Sequence, residues 1–304
     1  MKIGIPQALG FYYYGQLWKE FLTQLGCTVI ESQPSNREVL QSGTALTPSE
    51  ACLPLKCFVG HVQKLITKVD ALFIPRMVCM KKEPVVGLGC PKYIGLPDMV
   101  KALFPQAKVV TPYLDLRKAK EQNAFAQSVR GLGFTRKQAL RAFNAAKDTI
   151  SSKQAESKGF TFGSDNHLTI AVIGHSYLVH DKFLSLDIIK RLSAMSCRVV
   201  DYTSFGSSGM SRSNREPLSW FFEEDILCSA EKLIASSHID GIVYMLSFGC
   251  GAGSITSEIL ELELRKDESM PLLKLVIDEH TGEAGIVTRL ESYIDMLTLR
   301  KERR

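Results

Sequence analysis

The feature that most constrains this chain is that its second half repeats its first at a constant shift of 170 residues. Gly4 falls on Gly174, Trp18 on Ile188, Leu22 on Leu192, Leu25 on Met195, Cys27 on Cys197 and Val29 on Val199. Val69-Asp70 falls on Ile239-Asp240. Each half opens on a short apolar run and continues into a stretch whose apolar residues share one helical face. A second apolar run follows, and a third further on. Alternation of strand and helix argues for parallel sheets with helices on both faces. The expected fold is α/β, two tandem doubly wound, Rossmann-like domains. The first covers 1–113 and the second 165–304. Between them, 114–164 lacks strand signals and is expected to be a helical connector that ends in a polar joint. Thr135-Arg136-Lys137-Gln138 has the form of a capping box within it.

Composition narrows the setting. Hydrophobic residues make up 45% and charged residues 23%, the balance of a globular chain with a large core. No run approaches the roughly 20 apolar residues that span a bilayer. The first residues enter a strand without the form of a signal peptide. A cytoplasmic location is therefore expected, and membrane association is not. The net charge is +5, partly from the basic tail around Arg300, Lys301, Arg303 and Arg304. No basic stripe interleaves with aromatics, so nucleic acid is not an expected partner. No phosphate-binding glycine pattern appears.

Eight cysteines in such a chain ask for a role other than disulfides. Cys250 lies in Ser247-Phe248-Gly249-Cys250-Gly251-Ala252-Gly253, after the apolar run 239–245 and before a helical pattern. Glycine on both sides lets the backbone approach whatever the sulfur holds. A helix N-terminus there favours the thiolate. Cys52 precedes another helical pattern, with Pro54 suited to its first turn. Cys90 is followed by Pro91, a habit of iron–sulfur ligands. Cys57 sits within its helix, and Cys79 follows a strand; each is either a ligand or a packing residue. Cys27 and Cys197 begin equivalent strands, and Cys228 lies on a helix face, so packing is expected for all three. If the strand-end sulfurs meet, they meet in the cleft between the domains. Three readings remain open: an iron–sulfur site, a four-thiolate zinc site on Cys52, Cys57, Cys79 and Cys90, and ordinary buried thiols. His175 and His180 lie in a strand-end loop and are candidates for substrate binding. His61 reads as a helix histidine.

Four motifs in this order resemble one family. They are Cys52-Leu-Pro-Leu-Lys with Gly60-His61, Cys90-Pro-Lys-Tyr-Ile-Gly-Leu-Pro, Ser247-Phe-Gly-Cys-Gly and Asp278-Glu-His-Thr-Gly-Glu-Ala-Gly. The family is the 2-hydroxyacyl-CoA dehydratase and benzoyl-CoA reductase subunit superfamily. The closer resemblance is to its branch of uncharacterised proteins related to the acyl-CoA dehydratase activase. The resemblance implies a 4Fe–4S cluster between two α/β domains, held by Cys52, Cys90 and Cys250. Some relatives hold a larger cluster on six cysteines; here Cys57 and Cys79 are the only further candidates. Lys56, Gly249 and Gly251 would surround the ligands. Glu279 and His280 would serve acid–base chemistry, with an ordinary capping loop as the other reading. The resemblance further implies an ATP-dependent activase as partner and electron donor, an acyl-CoA or other small-molecule substrate, and a homodimer. The implied function is reductase or dehydratase chemistry. The alternatives are a non-catalytic iron–sulfur electron relay and a zinc-bound or metal-free two-domain binding protein.

Overall fold

The computed structural model describes residues 1–156, 167–205, 215–236, 238–267 and 270–303. The chain divides into two compact units, Met1–Lys158 with Leu218–Phe221, and Gly159–Pro217 with Phe222–Arg304.

Unit 1 begins with β1 (Lys2–Ile5), α1 (Phe11–Gln24), β2 (Thr28–Glu31), α2 (Arg37–Thr44), α3 (Leu53–Leu65) and β3 (Ala71–Phe73). It continues through β4 (Arg76–Lys81), β5 (Gly87–Leu88), α4 (Pro91–Leu103), β6 (Val109–Val110), β7 (Tyr113–Asp115), α5 (Glu121–Ser128) and α6 (Arg136–Glu156). Its main sheet has the order β2-β1-β3-β6, with every pairing parallel. The second, smaller sheet has the order β5-β4-β7.

Unit 2 contains β8 (Thr169–Gly174), α7 (Ser176–Val179), α8 (Ile188–Ala194), β9 (Arg198–Asp201), α9 (Phe221–Ala235), β10 (Gly241–Ser247), α10 (Gly251–Asp267), β11 (Leu272–Ile277) and α11 (Glu283–Glu302). Phe221, the first residue of α9, clusters with unit 1. The sheet order is β11-β10-β8-β9, again all parallel. Numbered within each unit, both sheets read second, first, third, fourth. The repeat is therefore one of topology as well as of sequence. β2 and β9 keep the shift of 170 over their whole length, and so do the first residues of β3 and β10. The doubly wound α/β expectation holds for both units.

Two stretches carry more structure than their sequence reading gives them. The expected connector is helical, as α5 and α6, and its residues pack within unit 1. Phe125 of α5 meets Phe21 edge-on at 5.1 Å and Phe143 of α6 at 5.0 Å, and it lies 5.9 Å from Phe73. Phe21, Phe73 and Phe125 are fully buried, so α5 and α6 complete the core under α1 and β3. Of the polar joint, α6 takes the first residues, to Glu156, and 157–166 lie outside the described residues. The polar stretch 32–45 reads as irregular, yet it contains α2. Asn36 caps this helix by accepting the Val39 N–H at 3.0 Å. Two glycines let its backbone press on α3. A Cβ on Gly43 would stand 1.7 Å from the Lys56 carbonyl oxygen, and one on Gly60 would stand 1.9 Å from that of Val39. Gly87 and Leu88 also gain a neighbour from far along the chain. The Leu88 N–H donates to the Ser219 carbonyl at 2.7 Å, and Leu88 bridges to Trp220 in parallel register.

Candidate functional site: three capping cysteines and a buried ion cluster

Cys52 is the N-cap of α3 and Cys90 the N-cap of α4, with closely matching backbones (φ −66°, ψ 149° and φ −56°, ψ 143°). The Cys52 carbonyl accepts the N–H groups of Leu55 and Lys56 at 2.9 and 3.1 Å, and the Cys90 carbonyl accepts that of Ile94 at 3.1 Å. Each helix has proline in its first turn, where no N–H is needed. Cys250 immediately precedes α10 and plays the same part. Its carbonyl accepts the Ser254 N–H at 3.0 Å, and its sulfur accepts the Gly253 N–H at 3.4 Å. Gly249 holds φ at 76°, the left-handed turn that brings β10 round to the cap. First-turn amides and the helix dipole favour negative charge at each of these three sulfurs.

Exposure divides the eight cysteines the same way. Cys52, Cys90 and Cys250 are half-buried, and the other five are buried. The Cys57 thiol donates to Ser35 Oγ at 3.3 Å, and the Cys79 thiol to the Lys81 carbonyl at 3.1 Å. Cys228 donates to Glu224 at 3.3 Å; burial, then the Glu224 charge, pushes this thiol up to about 12. Burial likewise raises Cys27 and Cys197. All five thiols are buried. No three of the Cys52, Cys57, Cys79 and Cys90 sulfurs lie within 4.8 Å of one another, so the four-thiolate zinc geometry is not assembled. Cys52, Cys90 and Cys250, half-buried at helix N-termini, are donors of the type that fits an iron–sulfur cluster.

Unit 2 adds a cluster around Cys250 that sequence reasoning found only in part. β8 and β10 are neighbours, with Gly174 opposite Met245. Strand order reverses between them, and in such sheets the carboxyl ends at the reversal form the binding crevice. His175 directly follows β8, and Cys250 follows β10. Glu223, in the first turn of α9, reaches the same point: its Oε1 lies 3.3 Å from His175 Nε2. One ligand atom from each of His175, Glu223 and Cys250 lies within 4.8 Å of the others. His175 and Glu223 are 6% and 3% exposed. The His175 ring stacks on Tyr177 at 4.7 Å and 10°.

Burial opposes charge on His175, but hydrogen bonds to Cys250 and Glu223 and their charges outweigh it, and its pKa is pushed up to about 9. Burial also acts to raise Cys250. The His175 hydrogen bond and charge and the Gly253 amide reverse that, and the thiol ends below its ordinary value. Tyr244, buried beside this group, is raised by burial and then by the Cys250 and Glu223 charges. Glu223 carries no motif; its one signal is an acidic residue opening a helix.

The remaining candidates fall as follows. Lys56 is buried in the first turn of α3 and donates to the Ser49 carbonyl at 3.1 Å, bracing the loop that leads to Cys52. The glycine touching the Cys250 sulfur is Gly253: a Cβ there would lie 3.1 Å from Sγ, whereas one on Gly251 would meet nothing within 4 Å. Glu279 and His280 follow β11, beside the end of β10. His280 is exposed, and its N–H donates to Asp278 Oδ1 at 2.9 Å. Asp278 also accepts the Thr281 hydroxyl at 2.7 Å, which with burial as the opposing influence holds its carboxyl below the usual range. His180 Nε2 pairs with Asp201 at 3.1 Å at the end of β9. His61 is buried in α3 with Nε2 2.9 Å from Ser35 Oγ.

Among the described residues, no helix is long and apolar enough to cross a membrane. A comparison with protein families matches residues 2–204 to the CoA enzyme activase uncharacterised domain (DUF2229). The matched stretch contains Cys52, Cys90 and His175; Glu223 and Cys250 lie beyond it. The comparison with curated proteins found no match. Since the match covers most of the chain, this protein belongs to the CoA enzyme activase uncharacterised domain family.

Proposed function

We propose that this chain is a cytoplasmic iron–sulfur protein of the 2-hydroxyacyl-CoA dehydratase type, with Cys52, Cys90 and Cys250 as the ligands of a 4Fe–4S cluster. The observation that carries this reading is the agreement of two independent properties: the same three cysteines out of eight are helix N-caps and are half-buried. The family supports an activase as the partner. When bound, such a cluster supplies one-electron transfer at low potential, with one iron left open to a substrate such as an acyl-CoA. The chain's own part is electrostatic and structural. Three helix N-termini offset the charge of the thiolates, and buried Lys56 adds a cation while bracing the approach to Cys52. Glu279 and His280, at the carboxyl end of β11, are the candidates for moving a proton on the substrate.

An electron relay would need a fourth protein ligand to close the open iron. Cys57 and Cys79 are engaged with Ser35 and Lys81, which favours the three-ligand reading. Anaerobic purification followed by iron and sulfide analysis and electron paramagnetic resonance tests both. We expect about four irons per chain, the stoichiometry of one cubane. Cys52→Ser, Cys90→Ser and Cys250→Ser should each lose the cluster, and Cys57→Ser and Cys79→Ser should keep it. Iron-free protein from anaerobic cells that also resists reconstitution would end the proposal.

A further inference from the structure

We propose that unit 2 alone holds a single zinc-class divalent ion on His175, Glu223 and Cys250. This concerns the chain without its cluster, since Cys250 cannot serve both at once, and it does not depend on the cluster reading, because all three donors belong to one unit.

The donor set is an imidazole nitrogen, a carboxylate and a cysteine sulfur, the three side-chain types that bind zinc. The three donors come from separate places along the chain, after β8, in α9 and before α10, yet one ligand atom of each lies within 4.8 Å of the others. Tetrahedral zinc with Zn–N and Zn–O bonds of about 2.05 Å would place those two donors roughly 3.3 Å apart. His175 Nε2 and Glu223 Oε1 stand 3.3 Å apart.

Burial supplies the second argument. His175 and Glu223 are almost wholly buried, so donors that attract a cation are held together away from water. The ring is already fixed for the task by stacking on Tyr177. Phe248, which is 63% exposed, and the exposed Gly249 and Gly251 border the half-buried sulfur, so the ion has a way in. Three protein ligands leave a fourth position for water or a substrate oxygen, the open form of a zinc site.

The test uses the full chain, freed of iron and other metals by chelation and kept under anaerobic conditions. It is titrated with Co2+ alone. We expect one equivalent to bind, with a near-ultraviolet thiolate-to-cobalt band and the strong visible absorption of a four-coordinate ion, and Zn2+ should displace it. Cys250→Ser should abolish the thiolate band. The near-isosteric Glu223→Gln should weaken binding by more than about tenfold, since even residues behind the ligands cost 10–100-fold. His175→Gln should do the same, with circular dichroism confirming that each variant is folded. Cys52→Ser and Cys90→Ser should leave the cobalt spectrum unchanged. No cobalt binding, a thiolate band that survives Cys250→Ser, or one that vanishes in Cys52→Ser would each overturn the proposal. Failure of the cluster reading would look different: iron and sulfide would not assemble, while the cobalt titration stayed as described.

Discussion

The two units share one strand order but differ in what they place where that order reverses. In unit 1 the ends of β1 and β3 enclose an apolar cavity of about 20 Å³, lined by Pro6, Leu9, Trp18, Phe73, Met77 and Leu96. In unit 2 the ends of β8 and β10 carry His175 and Cys250, with Glu223 closing over them. One topology has been filled with hydrocarbon at one copy and with buried charge at the other. Shared architecture locates the crevice, and the side chains decide whether it is core or chemistry.

The largest effect expected from testing this contrast lies in unit 1. If its crevice is core, Phe73→Ala should cost about 3–5 kcal/mol, the usual range for truncating a buried phenylalanine. That corresponds to a fall of roughly 10 °C in melting temperature. Alkylation of Cys250 in unit 2 should keep its rate. A Phe73→Ala variant that melts like the parent would show that unit 1's strand ends are a binding surface after all.

Next come the two buried histidines, which should give opposite pH dependence. His61 in unit 1 is pushed down to about 4 by burial. An unfolded histidine titrates near 6.5, so between those values the unfolded state holds more protons and acid destabilises the fold. The loss should reach roughly 3 kcal/mol on acidification through that window. His175 in unit 2 is raised to about 9. Its own contribution is complete below about 6.5 and is lost as pH rises through about 9, and the lowered Cys250 thiol beside it opposes that loss. Urea unfolding of the metal-free chain across this range checks both. His61→Gln should flatten the acid limb only, and Glu223→Gln the alkaline limb only.

The smallest effect sharpens the picture at Cys250. Gly251→Ala should change stability by no more than about 1 kcal/mol, the propensity difference between the two residues, and leave the thiol as it was. Gly253→Ala should have a similarly small net effect on stability. It should nevertheless displace the Cys250 sulfur and slow its alkylation or metal uptake, because the added methyl sits against Sγ. Equal thiol behaviour in the two variants would remove Gly253 from the site.

Much of this was legible in the sequence because it rests on local rules. Period and repetition give the strands and the doubly wound order. Proline in the first turn marks Cys52 and Cys90 as caps, and the glycines around Cys250 mark the turn. What was not legible depends on contacts between distant residues. The helix α2 is short and polar, and what holds it to α3 is close backbone approach at Gly43 and Gly60, which leaves no hydrophobic pattern. α5 and α6 look like a linker until Phe125 and Phe143 are seen against Phe21. Glu223 resembles any acidic residue at a helix start; only its 3.3 Å approach to His175 sets it apart.

The return of Leu218–Phe221 to unit 1 bears on how the chain is made. Leu88 waits for Ser219 and Trp220 to supply its backbone partner. During synthesis, then, the first lobe stays unfinished until the Gly159–Pro217 part of the second has left the ribosome. A gene fragment cut after α6 would encode a lobe with an open edge, prone to stick to its neighbours.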